Sequence, residues 1–214
     1  MKEQFIITIG REFGSGGRQI GMLLAEKLGI KCYDKELLAI AAKNSGLSEE
    51  LLKNHDERPT NSFLYSLVMD TYSMGYSTST YMDMPLNQKV FLAQYDTIKE
   101  LSETESCIII GRCADYALKD YKNCFKIFIK ADMDAKINRI KRIYNLNDDK
   151  AKDLIVKTNK KRANYYNFYS NKRWGDSRSY DLCVDSNTLG IEGTVEFLLS
   201  YIEARLKNVN HEGI

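Results

Sequence analysis

The chain has 214 residues, of which 43% are hydrophobic and 28% charged, with a net charge of +2. That balance suits one folded domain and excludes a disordered polymer. No apolar run approaches the ~18–20 residues needed to span a bilayer, and Met1-Lys-Glu-Gln leads straight into a strand, so neither membrane association nor a secretory leader is expected. The charge is uneven: residues 126–173 hold fourteen Lys/Arg against five Asp, a local +9, which leaves −7 elsewhere. Such a segment suits an anionic ligand; a phosphorylated small molecule is preferred to a solvated helical face or to nucleic acid. The five cysteines are scattered without paired spacing and the two histidines stand apart, which points to a reduced, cytoplasmic protein without a structural zinc site. Cys113 is expected to be partly exposed, though not a nucleophile.

In chain order, Phe5-Ile-Ile-Thr-Ile9 reads as a buried strand, followed by the glycine-dense run Gly10-Arg-Glu-Phe-Gly-Ser-Gly-Gly-Arg-Gln-Ile-Gly21. Ile20, Leu23, Leu24 and Leu28 then recur at helical spacing, and Gly29 stops the helix. Strand, glycine loop and helix form the layout in which backbone N–H groups and a helix N-terminus hold phosphate. Gly10, Arg11, Gly14, Ser15, Gly16, Gly17, Arg18 and Gln19 are the candidate phosphate-binding residues. The usual loop ends in Gly-Lys-Ser/Thr. With Gly16 as its last glycine, Gly17 takes the lysine position and Arg18 the hydroxyl position, so Arg18 is the nearest replacement cation. The competing reading is a tight turn with its arginines in solvent.

Residues 30–33 form a second short strand, and a helix follows over 36–44. Asp34 between them either caps that helix or faces a ligand crevice at the strand's carboxyl end. Ser48 caps the next helix. Over 55–85 polar and aromatic residues alternate with Pro59, Gly75 and a Ser-Thr run, either a mobile insertion that closes over a ligand or a helical hairpin packed on the core or a second subunit. A helix over 86–101 leads to the strand Ser106-Cys-Ile-Ile-Ile110, after which Arg112 emerges. A guanidinium is rarely buried unpaired, so Arg112 serves either a phosphate or a structural ion pair. A strand over 124–129 and helices over 131–144 and from 151 to about 168 follow. Tyr165, Tyr166 and Tyr169 are expected in the core rather than stacked on a base, and Trp174 either covers a ligand or anchors its loop. The strand Tyr180-Asp-Leu-Cys-Val-Asp185, a turn at Asn187, Thr188 and Gly190, and a helix over 191–206 close the chain, with a frayed tail over 207–214. Strands alternating with helices imply a parallel sheet covered on both faces in a single domain over 1–214.

The glycine loop, Tyr33-Asp-Lys-Glu-Leu37, Ile108-Ile-Ile-Gly-Arg-Cys113, Arg162-Ala-Asn-Tyr-Tyr166, Trp174 and the last strand together resemble the cytidylate-kinase-like family, a branch of the P-loop nucleoside monophosphate kinases. The resemblance runs through nearly the whole chain. It implies a three-layer α/β/α fold of P-loop NTPase type with a five-stranded parallel sheet, the 55–85 insertion on the acceptor side and a helical lid over about 139–175. The activity it implies is transfer of the γ-phosphoryl group of ATP, with Mg²⁺ held through the phosphates, to a nucleoside monophosphate such as CMP. The catalytic candidates are then Arg18, Asp34, Arg112 and the lid cations Arg139, Arg142 and Arg162. Asp34, Lys35 and Arg112 are the acceptor-side residues, and Asn187 lies near the donor base. Two departures stand out: neither lysine nor Ser/Thr stands at its usual place after the loop's last glycine, and Asn159 replaces an acid expected in the lid. They keep two alternatives open, a nucleotide-binding regulatory or interaction module without transfer, and a kinase of a non-nucleotide small molecule. A monomer or homodimer is expected.

Overall fold

The computed structural model describes residues 4–59 and 84–209. The stretch 60–83, most of the expected acceptor-side insertion, lies outside the described residues. The chain runs β1 (Ile6–Arg11), α1 (Gly17–Leu28), β2 (Lys31–Tyr33), α2 (Glu36–Ser45) and α3 (Glu49–His55). It continues with α4 (Leu86–Thr104), β3 (Cys107–Ile110), the short α5 (Ala114–Ala117) and β4 (Cys124–Lys130). Then come α6 (Met133–Tyr144), α7 (Asp148–Ser170), β5 (Leu182–Asp185) and α8 (Ser186–Val209).

The five strands form one parallel sheet in the order β2-β3-β1-β4-β5. Parallel strands need crossovers, and the helices supply them on both faces, giving three layers as expected. The strands are nearly continuous apolar runs because both faces are covered. Ile7, Ile9, Ile108, Ile110, Ile127 and Ile129 face α1 and α8. Ile6, Ile109 and Cys107 face the opposite way, onto Leu37 of α2, Ile98 of α4 and Ala114 of α5. This is the period-two alternation of a strand used on both sides. Gly29 ends α1 in the left-handed conformation, and the Ser48 hydroxyl caps α3 by accepting from Leu51 N. Gly190, with φ 67° and ψ −178°, interrupts α8, so its continuous run begins at Ile191, as the apolar periodicity predicts.

Helices α6 and α7 pack as a pair on the cleft side of β4. The first half of α7 meets α6 and Phe13 through Ile140, Ala151 and Ile155. Its second half is core. Tyr165, Tyr166 and Tyr169 are all buried, and the Tyr169 ring stacks on Phe91 of α4 at 3.9 Å. Each hydroxyl has a partner: Tyr165 donates to Gln94 Oε1 (3.1 Å), Tyr166 to Asp115 Oδ2 (2.6 Å) and Tyr169 to the Asn87 carbonyl (3.2 Å). Burial of each such side chain is worth about 1.5–3 kcal/mol. Trp174 is half-buried and packs edge-on against Phe128, with ring centroids 5.3 Å apart, so it anchors its loop. Cys113, expected to be partly exposed, is buried among the tyrosines, and burial pushes its thiol far above the ordinary range. It sits in the left-handed conformation (φ 56°), and that turn directs it into the core.

Candidate active site

The loop between β1 and α1 is held by its own backbone. Glu12 N donates to the Ile129 carbonyl at 3.0 Å, and the Ser15 hydroxyl donates to the Glu12 carbonyl at 2.9 Å. Ser186 Oγ donates to the Ser15 carbonyl at 2.6 Å, so β5's exit supports the loop from behind. Gly16 is left-handed (φ 79°), and a Cβ there would lie 2.5 Å from Ile191 Cδ1 and 3.1 Å from Arg139 Cζ. A Cβ on Gly17 would lie 2.6 Å from Arg11 Cβ. No side chain caps α1. Its N-terminal dipole therefore faces the cleft, an arrangement that suits an anion. Gly10, by contrast, lies within β1, and its missing side chain makes room for the Phe128 ring, 2.8 Å from where a Cβ would sit.

A cleft of about 740 Å³ opens above this loop, at the carboxyl ends of the strands. Arg11, Arg18, Asp34, Arg112, Arg139 and Arg162 all line it. Lys35 stands at its rim, and Ile143 and Tyr144 of α6 form an apolar lip.

Asp34 turns its carboxylate into the cleft. Its Oδ2 accepts from Arg18 Nε at 2.7 Å, and its Oδ1 lies 3.4 Å from Arg112 Nη1. The capping alternative does not describe it: no side chain caps α2 at Lys35, and Glu36 reaches back to accept from Asp34 N at 3.2 Å. Burial pushes the Asp34 carboxyl up, but Arg112, Arg11 and Arg18 outweigh it and hold it below the ordinary range.

Arg112 follows β3 through three successive left-handed residues, Gly111 (φ 73°), Arg112 (φ 52°) and Cys113 (φ 56°). For a non-glycine residue that conformation costs roughly 1–2 kcal/mol, and strain of this kind concentrates at ligand sites. The guanidinium is almost wholly buried, with 2% of its side chain exposed. Its Nε donates to Asp56 Oδ1 at 3.1 Å and its Nη2 to Asp56 Oδ2 at 3.0 Å, a bidentate fork. Nη1 also donates to the Ile110 carbonyl at 3.3 Å. Burial works against the charge, yet Asp56, Glu57 and Asp34 raise its pKa above the ordinary guanidinium value.

Glu57 stands beside Asp56, itself left-handed at φ 52°. Its Oε1 accepts from Arg11 Nη1 at 3.0 Å, and its Oε2 lies 3.4 Å from Arg162 Nε. Burial pushes this carboxyl up, but Arg11, Arg162 and Arg112 overcome that and hold it well below the ordinary range. Arg162 also donates from Nη1 to the Arg11 carbonyl at 3.2 Å. Burial and the neighbouring Arg11 lower its pKa to about 10, against the pull of Glu57. Lys161 Nζ donates to the Asp56 carbonyl at 2.9 Å. Residues 56 and 57 thus tie the ends of β1 and β3 to α7.

Asp56 and Glu57 were not legible as site residues, and neither was Gln94, whose Nε2 donates to Asp56 Oδ1 at 3.1 Å. Two acids after a helix carry no motif; the one signal is that the buried Arg112 required an acidic partner. Of the expected lid cations, Arg139 reaches the cleft and donates to Gln19 Oε1 at 3.2 Å. Arg142 is exposed on α6 and, among the described residues, hydrogen-bonds within its own helix, to the Asn138 carbonyl 3.4 Å away. Asn159 accepts from Phe13 N at 2.7 Å, so an amide fastens the loop to α7 where an acid was expected. Asn187 donates to Asp132 Oδ2 at 3.3 Å, away from the cleft lining. Ser15 is tied up within the loop. Among the described residues no group of three or more His, Cys, Asp or Glu side chains could hold a metal ion.

A parallel sheet ordered 2-3-1-4-5 with a glycine loop after β1 and arginines converging over it is the P-loop kinase fold. The cytidylate kinase-like family model matches residues 6–188, and the chain belongs to that family. It is 26% identical over 218 residues to a cytidylate kinase of Archaeoglobus fulgidus, an alignment covering 96% of this chain and 99% of that protein. Among solved structures it is similar to an uncharacterised protein from Eubacterium ventriosum, with 32% identity, a TM-score of 0.72 and coverage of 94% and 99% of the two chains. A shikimate kinase from Bacteroides thetaiotaomicron shares the fold at 16% identity and a TM-score of 0.52, covering 93% and 98%. Among the described residues no helix is long and apolar enough to cross a membrane.

Proposed function

We propose that the protein transfers the γ-phosphoryl group of ATP to a nucleoside monophosphate, with CMP as the first acceptor to test. The observation that carries this is one cleft that joins a helix N-terminus behind glycines 14, 16 and 17 to five arginines, each from a different part of the chain. Phosphoryl transfer asks for little covalent chemistry from the protein; positioning and charge neutralisation supply the rate. An oxygen of the acceptor phosphate attacks the γ-phosphorus in line, the bond to the β–γ bridging oxygen breaks, and ADP leaves. Mg²⁺ enters as part of the substrate, ATP·Mg²⁺. That fits a cleft in which Asp34, Asp56 and Glu57 pair with arginines and Glu12 pairs with Lys136, whose Nζ lies 2.7 Å from Glu12 Oε2.

Backbone N–H groups at the start of α1, with Arg18, hold the donor phosphates. Arg139 and Arg162 close over the charge that develops on the transferring group. Asp34, Lys35 and Arg112 border the acceptor end, where Arg112 fixes Asp34 rather than standing free. Arg142 takes no role here. The family membership supports phosphotransfer, and the Archaeoglobus relative supports CMP. The same kinship supports a cytoplasmic setting. Turnover with ATP·Mg²⁺ across nucleoside monophosphates tests the reading.

The second reading, a nucleotide-binding module without transfer, draws on one contact: Arg18, the cation next in sequence to the missing lysine's place, donates its Nε to Asp34.

A further inference from the structure

Arg112 and the pair Arg11–Arg162 look alike in sequence but are differently satisfied. Arg112 has a bidentate partner in Asp56, a second carboxylate in Asp34 and a backbone carbonyl, and Gln94 steadies Asp56 from behind. That set is a closed structural unit. Arg11 and Arg162 share one carboxylate, Glu57, one oxygen to each. Two guanidiniums thus contact a single carboxylate, with Asp34 acting on both from further off, and the buried Arg162 Nε, 3.4 Å from Glu57 Oε2, makes no hydrogen bond among the described residues. Glu57 reaches this position from a left-handed backbone that glutamate rarely adopts. Both arginines and Glu57 line the same cleft as the phosphate loop. A phosphate dianion has the charge that two guanidiniums require and the oxygens to accept from both.

We propose that Glu57 is a built-in stand-in for substrate: its carboxylate occupies a phosphate site made by Arg11 and Arg162, and a phosphate group of a bound nucleotide displaces it. The site then selects acceptors or donors that bring a dianionic group and disfavours neutral ones, which cannot replace the carboxylate. The proposal rests on the phosphotransfer reading of the cleft, but inorganic phosphate probes it without any turnover.

The test is calorimetry of inorganic phosphate binding at fixed ionic strength, on the wild type and on Glu57→Gln. The variant is expected to bind about ten-fold tighter, equivalent to about 1.4 kcal/mol, and the gain is expected to vanish in the Glu57→Gln/Arg162→Gln double variant. Equal or weaker binding by Glu57→Gln makes Glu57 a strut and overturns the proposal, as does a gain that survives loss of Arg162. Should Glu57→Gln not fold, Glu57→Asp withdraws the carboxylate by one methylene; a gain of about three-fold is expected on the same scale, and no gain overturns the proposal. Repeating the titration with CMP and with a non-hydrolysable ATP analogue identifies the source. A gain for CMP assigns the site to the acceptor phosphate, a gain for the analogue to the donor γ-phosphate, and a gain for neither overturns displacement by substrate. Absence of turnover on every monophosphate would defeat the functional reading alone and leave the phosphate exchange measurable.

Discussion

Arg112 and Asp56 form a bidentate pair, 3.1 Å from Nε to Oδ1 and 3.0 Å from Nη2 to Oδ2, that joins the end of β3 to a residue 56 positions earlier in the chain. The guanidinium is almost wholly buried, so removing the carboxylate leaves a buried charge held by the Ile110 carbonyl and a long contact to Asp34. Asp56→Ala is expected to destabilise the fold by on the order of 3 kcal/mol, the cost of breaking a buried pair from one side. Denaturant midpoints at constant m-value measure it. A loss below about 0.5 kcal/mol, the range of an ordinary surface substitution, would show that the pair does not hold the site together.

Arg18 presents the opposite case. Its side chain is 54% exposed, and its pair with Asp34 is open to water and salt. Arg18→Ala is therefore expected to cost no more than about 1 kcal/mol in stability while lowering kcat by about 10²–10³, the effect of removing a positioned charge-stabilising donor. Arg18→Lys keeps the charge but loses the Nε contact to Asp34, and an intermediate rate is expected. Thermal unfolding beside steady-state kinetics separates the two effects. Equal kcat in Arg18→Ala and the wild type would remove Arg18 from the transition state.

Two left-handed glycines give a matched comparison. Gly16 (φ 79°) would place a Cβ 2.5 Å from Ile191, beside Arg139, whereas Gly29 (φ 65°) has nothing within 4 Å. Alanine at either position bears the backbone strain of about 1–2 kcal/mol. Only Gly16→Ala is expected to weaken ATP binding in calorimetry as well, because its neighbours must shift within the loop. Equal nucleotide affinity for the two variants would contradict the cradle described here.

Asp115 is buried on α5 and accepts from the Tyr166 hydroxyl. Burial raises its pKa despite that hydrogen bond and the nearby Lys172. The folded state therefore holds this proton to higher pH than the unfolded chain, and stability is lost as pH rises from the unfolded value through the folded one. Asp115→Asn keeps an acceptor for Tyr166 and cannot ionise. The difference in melting temperature, variant minus wild type, is expected to grow more positive between pH 4 and pH 8. A difference independent of pH would show that Asp115 does not titrate in that window.

Much of this architecture could be read from the chain because it rests on local signals. The strands are apolar runs bounded by glycine or polar residues, and Ile108, Ile109 and Ile110 have no other plausible place than a covered sheet. Arg112 at a strand's carboxyl end and the glycines before α1 likewise announced a ligand crevice. Asp34 was ambiguous because a carboxylate before a helix suits both a cap and a cleft; its pairing with Arg18 and Arg112, with no side chain capping α2, decided it. Asp56 and Glu57 were hidden for a different reason. Their roles arise only when the residues after α3 fold back onto arginines from β1, β3 and α7, and nothing in their own neighbourhood encodes that. Cys113 was misplaced because its burial depends on a left-handed backbone that residue type does not reveal.

On the proposed reading, this cleft moves a phosphoryl group between nucleotides. A coupled assay with ATP·Mg²⁺ over the nucleoside monophosphates, run on the wild type beside Arg18→Ala, tests it most directly. Turnover with CMP that falls by about 10²–10³ in the variant is the predicted result. No turnover on any monophosphate, while calorimetry shows ATP still bound, would contradict it.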